Sequence, residues 1–140
     1  MAKAVVEARP RGAGETEKLT INLGVVDLGQ IDLLVQEGFY SNRTDLIRTA
    51  IRNQLASHGQ EVKQAVARRT LILGLHHLGR AELERAVASG QKLELHVVGL
   101  ARIANDVSPE LARAAIGSVE VLGAFHASAA VRKALAGRIT

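Results

Sequence analysis

The chain has 140 residues, with 18 lysines and arginines against 14 aspartates and glutamates, a formal net charge of +4 and no cysteine. The lack of cysteine excludes disulfides and thiolate metal sites, and no run of about twenty apolar residues offers a membrane span. No apolar signal-peptide core follows Met1, so a cytoplasmic protein is expected, with room for one ordinary domain or two small ones.

Residues 1–17 carry Pro10, Gly12 and Gly14 among alternating charges, show no periodic apolar pattern, and read as a disordered arm. Lys3, Arg9 and Arg11 could follow a nucleic-acid backbone, but Glu7, Glu15 and Glu17 offset them. The pattern changes at Leu19, Ile21 and Leu23, which alternate with Lys18, Thr20 and Asn22 as in a strand with one apolar face. No second strand lies nearby in sequence. The backbone groups of this one need a partner, and the same strand of another copy, antiparallel about a two-fold axis, can supply it. The polar face of such a ribbon presents Lys18, Thr20 and Asn22 from each chain, and the DNA major groove admits a two-stranded ribbon. Lysine suits guanine acceptors, asparagine can bond adenine at two points, and threonine can meet a base edge or a thymine methyl. Alone, Lys-x-Thr-x-Asn would be merely the solvated side of an edge strand; its context makes it specific.

Two amphipathic helices follow. Asp27 reads as the N-cap of the first, with Gln30 as capping-box partner and Val26 and Ile31 as a hydrophobic staple. Leu28, Ile31, Leu34 and Val35 form its apolar stripe, Gly38 ends it, and Phe39 is placed to pin the turn into a core. Either Ser41 or Asn42 can cap the second helix, whose stripe is Leu46, Ile47, Ala50, Ile51 and Leu55.

The segments KLTINL, GFYSNRTDLIR and AIRNQL together resemble the ribbon-helix-helix superfamily of DNA-binding proteins, and within it the CopG-like regulators, over about residues 18–58. The resemblance implies an intertwined β-α-α dimer formed through the N-terminal strand. It implies that Lys18, Thr20 and Asn22 read bases of double-stranded DNA, and that Ser41, Asn42, Arg43 and Thr44 anchor a phosphate. The free N–H groups and positive dipole end of a helix start support the second assignment independently, with Arg43 adding charge beside them. Capping and phosphate anchoring draw on the same amides. Family members often carry proline and acidic residues after the strand, whereas this chain has Leu23-Gly24-Val25-Val26. Splitting the charges after Arg68 leaves the N-terminal half at +1 and the rest at +3, so affinity for DNA would have to come from local placement.

Residues 59–68 read as a linker, and residues 69–140 carry a repeat. LILGLHHLGRAELERAVASG, HVVGLARIANDVSPELARAAIG and EVLGAFHASAAVRKALAG share the order aliphatic pair, glycine, polar or small cap, amphipathic helix, glycine. Gly74, Gly99 and Gly123 open the units, and Gly90, Gly117 and Gly137 stand where C-terminal helix caps would. Ser108-Pro109 and Ser128 are helix starts. The repeat predicts three β-α units, as an α/β solenoid or, alternatively, a compact α/β sheet of the same order. Leu73, Val98 and Val121 are expected to align on parallel strands, with Leu83, Val87, Leu111, Ile116, Val131 and Leu135 in the helix layer. An unpaired edge of such a short stack is a site for self-association.

His76, His77, His96 and His126 raise the question of a metal, since one branch of the superfamily couples DNA binding to nickel. No His pair has the spacing of a helical or strand metal site, and no metal or other cofactor is expected. No nucleophile, acid and base constellation or phosphate loop appears, so no enzyme is expected. The expectation is a sequence-specific DNA-binding regulator, a repressor, at a bacterial or archaeal nucleoid, whose residues 69–140 join dimers into a higher homo-oligomer without contact to a membrane. Two alternatives stand beside it: an antitoxin that autoregulates its operon, and a polymerising scaffold or partition protein that tracks DNA.

Overall fold

Residues 18–23, the expected strand, form no regular secondary structure in the single chain of the computed structural model, which describes residues 16–140. The arm expected over residues 1–17 lies outside the described residues, apart from Thr16 and Glu17. Two compact units are present, one over Lys18–Ala65 and the other built on Val66–Thr140.

The first unit holds α1 (Val25–Gln36), α2 (Arg43–Ser57) and most of α3 (Gly59–Arg68). Helix α1 starts three residues earlier than expected. Its N-cap is Gly24, in extended conformation, with no side-chain cap bond; Asp27 instead lies in the first turn, where its charge complements the helix dipole. Gly38 ends α1 as expected. Its φ of +86° lets its N–H reach Val35 O at 3.1 Å while Phe39 N–H reaches Leu34 O at 3.0 Å, satisfying the last carbonyls. Phe39 does not pin a core: it is 70% exposed. Neither α1 nor α2 contains a buried residue, and Leu33, Ile51 and Leu55 are about half exposed. The expected stripes are present, but one chain has nothing to lay against them. The segment expected as a linker, 59–68, is helix α3.

The second unit has a core of its own. Strands β1 (Ile72–Leu78), β2 (Leu93–Ile103) and β3 (Ile116–His126) pair in parallel in the order β1-β2-β3. They alternate with α4 (Arg80–Ala88), α5 (Pro109–Ala115) and α6 (Ala129–Ala134), which a short 3-10 turn, Ala136–Arg138, follows. Helix α4 packs beside α5, and α5 beside α6, so the three helices form one layer. The odd-numbered residues Leu95, Val97, Ala101 and Ile103 of β2 are buried under these helices, together with Leu83, Ala112, Val131 and Leu135. Ser108, with Pro109 at the first helical position, caps α5, and Ser128 caps α6; their hydroxyls accept from Leu111 N and Val131 N.

Gly74, Gly99 and Gly123 pair with one another across the three strands, with φ of +124°, +136° and +123°. A Cβ at Gly99 would stand 2.1 Å from Gly74 O, and one at Gly123 2.1 Å from Gly99 O, so only glycine fits these two sites. The neighbouring alignment differs by one residue from that expected: Leu73 pairs with Val98 and Val98 with Leu122, while Val121 meets Val97. The paired glycines mark the register, and Leu73, Val98 and Leu122 each stand directly before one, whereas Val121 stands two residues before. Of the closing glycines only Gly90 is a helix terminator, at φ +74°. Helix α5 runs directly into β3, which places Ile116 and Gly117 in the strand; Gly137 falls in the 3-10 turn. Val87 faces outward at 42% exposure rather than into the helix layer. The described residues thus form a mixed α/β chain with a three-stranded parallel sheet and six α-helices.

Candidate nucleic-acid interface

Lys18, Thr20 and Asn22 are all exposed, and so are Leu19 at 78%, Ile21 at 56% and Leu23 at 41%. The alternation is therefore presented to solvent on both sides, with no ladder partner among the described residues. Backbone groups in this state are satisfied by water and open to pairing with another chain.

The start of α2 is built by reciprocal bonds. Asn42 is the N-cap, its Oδ1 accepting from Asp45 N at 2.8 Å, while Asp45 Oδ2 accepts from Ser41 N at 3.0 Å. This is the capping-box logic with an aspartate in the third position. The amides of Arg43 and Thr44 find no partner among the described residues and point out from the positive end of the helix dipole. A shallow basin of about 470 Å³ opens there, lined by Ser41, Asn42, Thr44, Asp45, Arg48 and Arg52.

Arg43 turns away from this basin. Its Nε and Nη2 donate to Asp32 Oδ1 and Oδ2 at 2.8 and 2.9 Å, a two-point pair that ties α2 to α1. Those hydrogen bonds, helped by the charge of Arg43, hold the Asp32 carboxyl below the ordinary carboxylate range; the carboxylate in turn raises Arg43. The basin's positive charge comes from Arg48 and Arg52 instead. Sequence reasoning passed over both, although Thr44, Arg48 and Arg52 follow one another at intervals of four and so share a face of α2.

The histidines do not converge. His76 and His77 sit at successive positions of β1, opposite Ala101 and Arg102, and therefore on opposite faces of the sheet. Among the described residues no three His, Asp or Glu side chains gather where a metal could bind.

Comparison with protein families matches residues 14–132 to the ribbon-helix-helix transcriptional regulator family. Among curated proteins and among solved structures, none matches the chain.

Proposed function

This chain belongs to the ribbon-helix-helix transcriptional regulator family, and on that premise we propose that it reads a specific operator with a two-stranded ribbon formed by residues 18–23 of two copies. The family binds DNA as dimers. The observation that carries the finer reading is the state of the first unit: an alternating segment without a partner, leading into two helices that bury nothing. Pairing the strands about a two-fold axis would satisfy the ladder and bring Leu19, Ile21 and Leu23 down onto the apolar stripes of both chains. It would leave Lys18, Thr20 and Asn22 facing the major groove.

In the same reading the α2 start holds a backbone phosphate on each side. The amides of Arg43 and Thr44 and the side chains of Ser41, Asn42 and Thr44 supply short contacts, Arg48 and Arg52 supply charge, and Arg43 joins them when it exchanges Asp32 for phosphate. Occupancy of the operator represses, the protein works at the nucleoid in the cytoplasm, and residues 69–140 join dimers. The buried core of the second unit weighs against an antitoxin tail that folds only on its toxin.

The test is the binding of Thr20→Ala and Asn22→Ala to an operator selected from random DNA and to unselected DNA. Each should lose about 1–3 kcal/mol on the operator, with unselected DNA bound as before. Equal losses on both would remove these residues from base reading.

A further inference from the structure

The helices α4, α5 and α6 cover one face of the sheet; among the described residues no helix packs over the other. On that second face the central strand carries its even-numbered residues, from exposed Glu94 through half-buried Val98 and buried Leu100 to half-buried Arg102. Beside them stand Leu73 and Leu75 of β1, 62% and 47% exposed, and Leu122 of β3, 49% exposed. The middle of the face is therefore aliphatic. Its ends differ in sign: Glu94 and Glu120 lie toward the start of the strands, and Arg102, flanked by His77 and His126, toward their ends. Glu120 is already held by Arg69, and His126 stands 3.2 Å from Glu17. Glu94 has only His96 beside it, at 3.9 Å, which leaves Glu94 and Arg102 as the principal opposed charges, about 27 Å apart at about 3.3 Å per residue.

We infer that this face is a docking surface for the same face of a second copy, the two sheets stacked with their strands antiparallel. The inference rests on the proposal that residues 69–140 associate, and it specifies the contact. A two-fold axis running across the strands at Val98 places Glu94 of each copy over Arg102 of the other, twice, with Leu73, Val98 and Leu122 over their own counterparts. An axis along the strands would instead set Arg102 against Arg102 and Glu94 against Glu94. The charge pattern therefore selects the antiparallel arrangement, and aligned sheets of this kind pack through their aliphatic rows.

The footprint is small. Three strands at about 4.8 Å spacing and about 27 Å of length give roughly 400 Å² per copy, half the roughly 800 Å² per partner of a standard specific interface. Such a contact makes association of free dimers concentration-dependent and is strengthened between dimers already held close on neighbouring operator sites.

Sedimentation of the full chain over a range of concentrations, with circular dichroism to check folding, tests this. The wild type should associate beyond the dimer, Arg102→Glu should stop at the dimer, and Glu94→Arg combined with Arg102→Glu should restore association. Because the chain has no cysteine, Leu122→Cys offers an independent measurement that leaves the charges intact: a bifunctional thiol reagent that spans the about 10 Å between packed sheets should link chains through that position. A wild type that stays dimeric throughout would overturn both the association and this face. Association that survives Arg102→Glu, or a Leu122→Cys variant that associates without being cross-linked, would overturn this face alone.

Discussion

Arg43 is the residue whose role depends most on its surroundings. In sequence it is a cation at a helix start; in the folded chain its guanidinium is held at two points by Asp32, with its charge balanced. Removing the carboxylate should release it. Asp32→Asn should bind unselected DNA more tightly than wild type, with a similar salt slope, because Arg43 reaches the phosphate without first leaving a carboxylate. Equal affinity of the two proteins in a binding titration would place Arg43 away from DNA. The same pair has a pH consequence. Because the folded chain holds Asp32 below the ordinary carboxylate range, its contribution to stability is fully present above that range and is lost as pH falls through the lowered value. Urea titrations should therefore show wild type more stable than Asp32→Asn at neutral pH, and the two converging in acid. Arg48 and Arg52 were legible as a stripe at four-residue spacing, but their place beside the capped α2 start became visible only with the basin.

At the scale of elements, the glycine ladder is the clearest case of a local signal with a tertiary cause. The spacing of Gly74, Gly99 and Gly123 shows a repeat, while the structure shows why glycine is needed: each has positive φ, and two sit against the carbonyl of the strand before. Gly74 belongs to the edge strand, and nothing would meet its Cβ. Gly74→Ala should therefore cost only the backbone strain, about 1–3 kcal/mol. Gly99→Ala and Gly123→Ala add a clash with backbone and should cost about 4 kcal/mol or more. Denaturant melts of the three variants give the order, and equal losses would show that strain alone sets the cost. The caps divide in the same way. Asn42, Ser108 and Ser128 cap as their side chains predict, whereas Asp27 yields to Gly24, because the chain can turn into the helix at Gly24 and Val25 and Val26 continue it.

For the whole molecule, the contrast between the units is the main physical fact. Val66–Thr140 buries a continuous cluster from Leu78 to Leu135. In Lys18–Ala65 no residue is buried, although leucine, isoleucine and valine recur throughout. Hydrophobic burial supplies most folding free energy, so the first unit must obtain it from a second copy. Its melting should accordingly depend on protein concentration, while that of the second unit depends on it far less. Calorimetry at two concentrations differing about a hundredfold should show one transition moving upward; a fixed transition for the first unit would mean that it is stable alone.

Period-two alternation at residues 18–23, helical stripes and turn glycines are local patterns, set by backbone geometry within a few residues. From these the sequence by itself determined the helices α1, α2, α4, α5 and α6, the β-α repeat and the family resemblance, while α3 reads from sequence as a linker. Two features lay beyond it: the capture of Arg43 by Asp32, and the aliphatic sheet face without a helix over it between opposite charges. Each depends on which distant segments meet and on the handedness of the connections between them. No local pattern encodes that, and only the assembled tertiary structure decided it.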